Sequence, residues 1–373
     1  MAGSIQKIGN KYRITLELGK DEAGKRLRKY MTVNSQAEAK KVLSEHEYNS
    51  QRNLLVQHTE ITVRRFLEHW VDNYVIYNCE ETTLYGYSNI INSHIIPFLG
   101  NVELQKLQPI HIQQYYKHLM ENKKLSPTTV HRHHAIIRKS LDYALKLQFV
   151  YRNIADAVAL PKKVDFTGSA YTKEQLNLLF MLVQDTKLEL PVYLAGFLGL
   201  RRSEITGLKW DNVNFTDRVI YIQNVRTSAG KKVIEKLPKT KKSKRTLYIV
   251  DEIYGVLMKH QERQNRLKKA LGREYLDSGY VVVKDNGSPY RVNTITEQFS
   301  SFLEKQKMHL PKIRLHDLRH TFCSILYAQK VDLKAISEAM GHSDIGTTSR
   351  IYTHLFDQTH KETVNAISEA LKK

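Results

Sequence analysis

The sequence predicts a multidomain α+β protein. A small three-stranded sheet plus one helix stands at the N-terminus, followed by an all-helical segment and a mostly helical domain with a small antiparallel sheet. Three observations carry that expectation. Residues 12–18 (YRITLEL) alternate apolar and polar side chains, the period of a half-buried strand. Between residues 63 and 148 the apolar side chains recur at helical spacing, punctuated by Pro and Gly. Beyond residue 171 helical stretches are interrupted by short strand-like pieces. The chain has 373 residues, room for several domains of roughly 100–200 residues each.

Taken in order, the turn GKDEAG (residues 19–24) links the first strand to a second at 27–33, with a third at 4–8. Ser35 caps a helix over 36–52 with Ala37, Val42 and Leu43 as its apolar positions. The hairpin is basic, with Lys20, Lys25, Arg26, Arg28 and Lys29. It reads either as a solvated hairpin or as a sheet laid in a DNA groove with these side chains on phosphates. Helices follow over 63–74, with Phe66, Leu67, Trp70 and Val71 in phase, and over 82–96, ended by Pro97 and Gly100. Two more cover 109–121 and 127–148, each opened by a proline. The last of these carries His131, Arg132, His133, Arg138 and Lys139. No Cys or carboxylate stands nearby at ligand spacing, so a phosphate-facing helix is preferred over a metal site. A linker covers 161–170, and strand-like pieces lie at 219–223, 232–237, 245–250 and 280–283.

Composition narrows the partner. Lys and Arg number 58 against 38 Asp and Glu, a formal charge of +20, and the pI is about 9.6. That excess points to a polyanion, either nucleic acid or an anionic membrane surface. Two cysteines, Cys79 and Cys323, exclude a disulfide-built scaffold and fit a reducing compartment. The longest stretch without Asp, Glu, Lys or Arg, residues 82–102, is too polar for a spanning helix. Residues 1–11 hold no apolar run of signal length. The expectation is a cytoplasmic, nucleoid-associated protein without a membrane partner.

Four motifs carry chemistry. They are Gly199-Leu200-Arg201-Arg202-Ser203-Glu204, Lys239-Thr240-Lys241-Lys242-Ser243-Lys244-Arg245, His316-Asp317-Leu318-Arg319-His320, and Gly341-His342 with Tyr352-Thr353-His354. Singly, each has an ordinary structural explanation. Arg201 and Glu204 could be a helix-face pair, and Gly341 a helix C-cap after 332–340.

Together and in this order they resemble the tyrosine recombinase (phage integrase) family: Arg, Lys in a β-hairpin, His-x-x-Arg, His, Tyr. Arg202 follows Arg201 directly, but the preceding Gly-Leu and the later Glu favour Arg201. Met340 stands where the family most often has Leu, a volume-conserving change. The resemblance is strong over 171–354. It extends more weakly to the N-terminus, which looks like the arm-binding domains of phage and conjugative-transposon integrases.

The resemblance implies an arm-type DNA-binding domain at 1–58, a core-binding domain at 59–160, a linker at 161–170 and a catalytic domain at 171–373. It implies strand transfer through a 3′-phosphotyrosine on Tyr352, with Arg201, Lys239, His316, Arg319 and His342 as the other catalytic residues and Glu204 in support. His316 either takes the phenolic proton or hydrogen-bonds the phosphate. Lys241, Lys242, Lys244 and Arg245, with Arg132, Arg138 and Lys139, are then DNA contacts. No metal, cofactor or ATP is implied. The partners are double-stranded DNA at core- and arm-type sites, three further copies of the chain joined through a C-terminal helix at 357–373 with Val364, Ile367 and Leu371 as its apolar positions, and accessory bending or excision factors. A Xer-like resolvase or invertase and a type IB topoisomerase-like enzyme are the rival readings.

Overall fold

The computed structural model describes residues 3–20, 26–51, 60–163, 170–237 and 244–341. The chain divides into two compact units, Met1–Asp165 and Phe166–Lys373.

In the first unit, β1 (Gly3–Ile8), β2 (Lys11–Lys20) and β3 (Arg26–Val33) form an antiparallel sheet in the order β1-β2-β3. Register puts Ile5 opposite Ile14 and Ile14 opposite Met31, so one face is apolar. Helix α1 (Gln36–Gln51) covers that face. Ser35 Oγ accepts from Glu38 N at 3.2 Å, the expected cap. Ile14 and Ala39 are fully buried there.

The helices of the same unit differ from expectation at two joints. Helix α2 (Val63–Trp70) passes through a π turn, Val71–Val75, into α3 (Ile76–Asn78). Helix α4 (Glu81–Ile90) passes through a second, Ile91–Ile95, into α5 (Ile96–Leu99). Pro97 therefore does not end the helix: it sits in the first turn of α5. The wider turn has Ile96 N donating to Ile91 O, just before the residue that has no N–H to give. Helices α6 (Pro109–Glu121) and α7 (Pro127–Lys146) complete the bundle around Trp70, Tyr115, Tyr116 and Phe66. Both begin with proline in the first turn.

The second unit opens with α8 (Lys173–Val183), capped by Thr172 and Gln175 in a reciprocal box, and α9 (Glu189–Gly196). Helix α10 (Arg202–Gly207) precedes the strands β4 (Val213–Asn214), β5 (Val219–Ile222), β6 (Val225–Ala229), β7 (Lys232–Lys236) and β8 (Arg245–Tyr248). One sheet has the order β4-β5-β8 and the other is the hairpin β6-β7. Strand β6 has no sequence-level counterpart. The strand expected at 280–283 is reduced to isolated bridges, Lys209 to Tyr280 and Val283 to Pro289. Helices α11 (Asp251–Leu271), α12 (Thr294–Lys305), α13 (Asp317–Ala328) and α14 (Leu333–Met340) follow. The core gathers Leu194 of α9, Ile205 of α10, Ile220 of β5, Phe299 of α12 and Leu318 of α13.

Candidate active site

Two chain segments grip one buried carboxylate, and a third brings Arg319 close enough to act on it by charge. After α9 the chain turns at Gly199, whose φ of +64° suits glycine. A Cβ there would stand 2.7 Å from the Phe322 ring of α13. The turn delivers Arg201 to the N-cap of α10 and Glu204 to its first turn. Glu204 is 1% exposed. Its Oε2 accepts from Arg201 N at 2.9 Å and its Oε1 from Arg201 Nη1 at 2.8 Å.

Arg245, at the start of β8, grips the same carboxylate through Nη1 to Oε1 at 3.1 Å and Nη2 to Oε2 at 3.0 Å. Burial alone would raise the Glu204 pKa. The hydrogen bonds and charge of Arg245, with the charges of Arg201 and Arg319, overcome it and hold the pKa at about 2.

Arg319, on the first turn of α13, is 1% exposed. Its Nη1 donates to Gly199 O and its Nη2 to Met340 O. Arg201 Nη2 donates to the next carbonyl, Gly341 O, at 3.0 Å. Both arginines therefore reach the C-terminal end of α14, where cations are favoured. Gly341 ends that helix in the left-handed conformation, φ 63°, as its place after Met340 suggests. Burial and the charge of Arg201 pull the Arg319 pKa down, yet a guanidinium stays protonated in proteins.

His316 stands at the N-cap position of α13 without a capping hydrogen bond from its side chain, and its ring is edge-on to His320 at 5.0 Å. The protein atoms packed around it, then the charges of His320 and Arg319, lower its pKa, so it is neutral at pH 7. A groove of about 470 Å³ joins Arg201 and His316 to Arg202, Arg314, Thr227, Ser228 and Thr296. Arg202 was weighed and set aside in the sequence; sequence reasoning missed the last four. Arg314 was findable from its place two residues before His316; the hydroxyls come from β6 and α12, which no motif marks. Asp317 holds Arg314, with Nη2 to Oδ1 at 2.7 Å and Arg314 N to Oδ2 at 2.8 Å.

The structure thus brings Arg201, Glu204, Arg319 and His316 together. Lys239, Lys241, Lys242, His342, Tyr352 and the expected helix at 357–373 lie outside the described residues, as does Lys25. Lys20 and Arg26 are placed in β2 and β3 by backbone only. Lys244 is exposed just before β8.

Of the expected DNA contacts, Arg28, Arg132 and Arg138 are exposed, whereas Arg245 and Lys139 are drawn inward. Arg245 is turned inward with 7% of its side chain exposed. Arg226, on β6, is also buried and donates to Tyr290 O at 3.0 Å. On α7, Arg132 and Arg138 face solvent, Arg138 beside Asp156 at 2.6 Å. His133 instead shares the buried stripe of Ile137 and Leu141, its Nδ1 hydrogen-bonded with Tyr115 Oη at 2.7 Å. Lys139 is half-buried over the Tyr74 and Tyr87 rings. Arg28 is exposed, 3.7 Å from Glu17.

Residues 171–359 match the phage integrase family, and residues 62–120 match the phage integrase N-terminal SAM-like domain. The chain is 30% identical over 288 residues to the ICEBs1 integrase of Bacillus subtilis (strain 168), covering 76% of each chain. It is 27% identical over 380 residues to a tyrosine recombinase XerC-like protein of Caldanaerobacter subterraneus subsp. tengcongensis, covering 96% of each. Its fold is similar to that of the Tn1549 transposon integrase in complex with transposon right end DNA. The TM-score is 0.70 at 22% identity, over 82% of this chain and 99% of that one. With a family match that spans half its length and takes in Arg201, His316 and Arg319, the chain belongs to the phage integrase family of tyrosine recombinases.

Proposed function

We propose that this tyrosine recombinase is the integrase of a mobile genetic element, acting on double-stranded DNA without metal or ATP. The observation that carries the reading is the convergence of Arg201 and Arg319 on the end of α14, beside a groove that also holds His316. From α14 the chain leads directly to His342 and then Tyr352. A phosphodiester under attack gathers negative charge on its non-bridging oxygens. Arg201, the exposed member, and Arg319 behind it supply fixed positive charge for that state. His342 adds a hydrogen bond.

In the reaction, Tyr352 Oη bonds to phosphorus and the bond to the 5′-oxygen breaks, leaving a 3′-phosphotyrosine. The phenolic proton passes to a base, for which neutral His316 is available. The leaving 5′-oxygen takes its proton from Lys239. The phosphotyrosine keeps the phosphodiester energy, so a second 5′-hydroxyl reverses the step without ATP. The residue set holds cations, donors and a phenol rather than the carboxylate pair that holds Mg²⁺.

In this reading residues 1–58 bind arm-type sites, 59–160 bind core sites, 161–170 link the core-binding and catalytic domains, and 171–373 catalyse. The C-terminal segment joins four protomers on DNA, and accessory bending or excision factors assist. The test is to incubate the full-length chain with labelled duplex spanning the ends of its encoding element, in EDTA and without nucleotide. A protein–DNA band that survives denaturing electrophoresis is the expected result. Cleavage abolished by EDTA and restored by Mg²⁺ would overturn the mechanism.

A further inference from the structure

We propose that Arg245 is a positioning residue for Arg201, acting through Glu204, and not a DNA contact; the inference rests on the recombinase reading above. An ionised carboxylate offers about four acceptor positions. Here they are taken two and two. Each Glu204 oxygen accepts once from Arg245 and once from Arg201, at 2.8–3.1 Å. The side chains of Glu204 and Arg245 are 1% and 7% exposed, while that of Arg201 is 30% exposed. The outermost member of the cluster thus faces the groove and the inner two hold it.

The arrangement has two consequences. The first is geometric. Arg245 sets the carboxylate plane with a two-pronged grip, and the carboxylate with Gly341 O then fixes Arg201 by Nη1 and Nη2. Lysine keeps the charge at position 245 but cannot make the paired grip. The second is electrostatic. One carboxylate beside one arginine would neutralise it. With Arg245 present, Glu204 is satisfied from the inside, and the cluster keeps net positive charge for the phosphate.

The test compares full-length wild type with Arg245→Lys on two nicked duplexes from the element end. One is ordinary; the other carries a methylphosphonate at the scissile position. The methyl group removes the charge that Arg201 is there to meet. On ordinary DNA, Arg245→Lys is expected to form covalent complex about 10- to 100-fold more slowly at saturating protein, because small misplacements at a reacting centre cost that much. On methylphosphonate DNA the difference should nearly vanish. The double variant Arg201→Lys with Arg245→Lys should be no slower than Arg201→Lys alone, since the two act as one unit. If Arg245→Lys does not fold, Glu204→Gln with Arg245→Gln replaces the ion pair by a hydrogen-bonded amide pair and should show the same phosphate-dependent loss.

Equal slowing on both duplexes would reduce Arg245 to a scaffold residue and overturn the proposal. So would unchanged cleavage. Weaker DNA binding with an unchanged cleavage rate at saturation would return Arg245 to the DNA surface. If wild type forms no covalent complex at all, the recombinase reading falls first, and with it this one.

Discussion

Glu204 sets the electrostatics of the candidate site. A buried acid between arginines is costly to remove, because each partner is then left as an uncompensated charge. Glu204→Leu should therefore destabilise the chain by about 3–5 kcal/mol, read as a lowered urea midpoint; a loss under about 1 kcal/mol would contradict the burial argument. The pH dependence has a definite sign. With its folded pKa depressed from 4.5 to about 2, Glu204 contributes stability that is present above pH 4.5 and lost as pH falls towards 2. Glu204→Gln should flatten that part of the acid-unfolding curve, and an unchanged curve would assign it to other acids. The helix spacing of Arg201 and Glu204 made their pairing legible in the sequence. Arg245 was not, because its link to Glu204 spans 41 residues and depends on how β8 is placed. A run of basic residues says that charge is present but not which side chains point inward, and Arg226 and Arg245 both do.

Element by element, helices were easier to read than strands. The prolines at 109 and 127 and the cap at Ser35 marked real starts. Pro97 misled, because a π turn moved the missing hydrogen bond out of the ladder. Strand β6 escaped because VRTSA has no apolar alternation; it is held by pairing with β7, with Thr227 opposite Ile234. On α7, counting histidines suggested a polar face, whereas helical phase puts His133 into the core beside Tyr115. That burial, with His94 edge-on at 5.1 Å, holds the His133 pKa at about 4. A histidine kept neutral by folding contributes stability present above pH 6.5 and lost as pH falls towards 4. His94, also depressed by burial and by Lys123, acts in the same direction. In a Trp210→Phe chain, Trp70 is the remaining tryptophan and reports on the bundle. Its urea midpoint should fall between pH 6.5 and 4, and fall less after His133→Gln; an equal fall in both would remove His133 as the cause.

At the scale of the whole molecule, the order of motifs made the family legible, while no pattern in the sequence could place the groove hydroxyls Thr227, Ser228 and Thr296. If residues 1–58 read a separate class of sites, deleting them should leave core-site cleavage nearly unchanged and weaken binding to distal element-end fragments in a gel-shift assay. Equal binding to every fragment would contradict the arm-binding assignment. If the C-terminal segment docks on a neighbouring protomer, replacing Val364, Ile367 and Leu371 with Ser should leave a soluble chain that binds one core site and neither pairs sites nor exchanges strands. Unchanged exchange would rule out docking in trans, and loss of solubility would point to a helix folded back on its own domain. Among the described residues no helix is long and apolar enough to cross a membrane, and a charge of +20 favours a DNA partner. The central claim is that one of 21 tyrosines carries the DNA. The direct measurement is to trap the covalent complex, trim the DNA with nuclease and map the nucleotide-bearing peptide by mass spectrometry. The account predicts a 3′-phosphate adduct on Tyr352 alone, absent from a Tyr352→Phe chain that still binds DNA; an adduct on any other residue, or a wild-type amount from Tyr352→Phe, would contradict it.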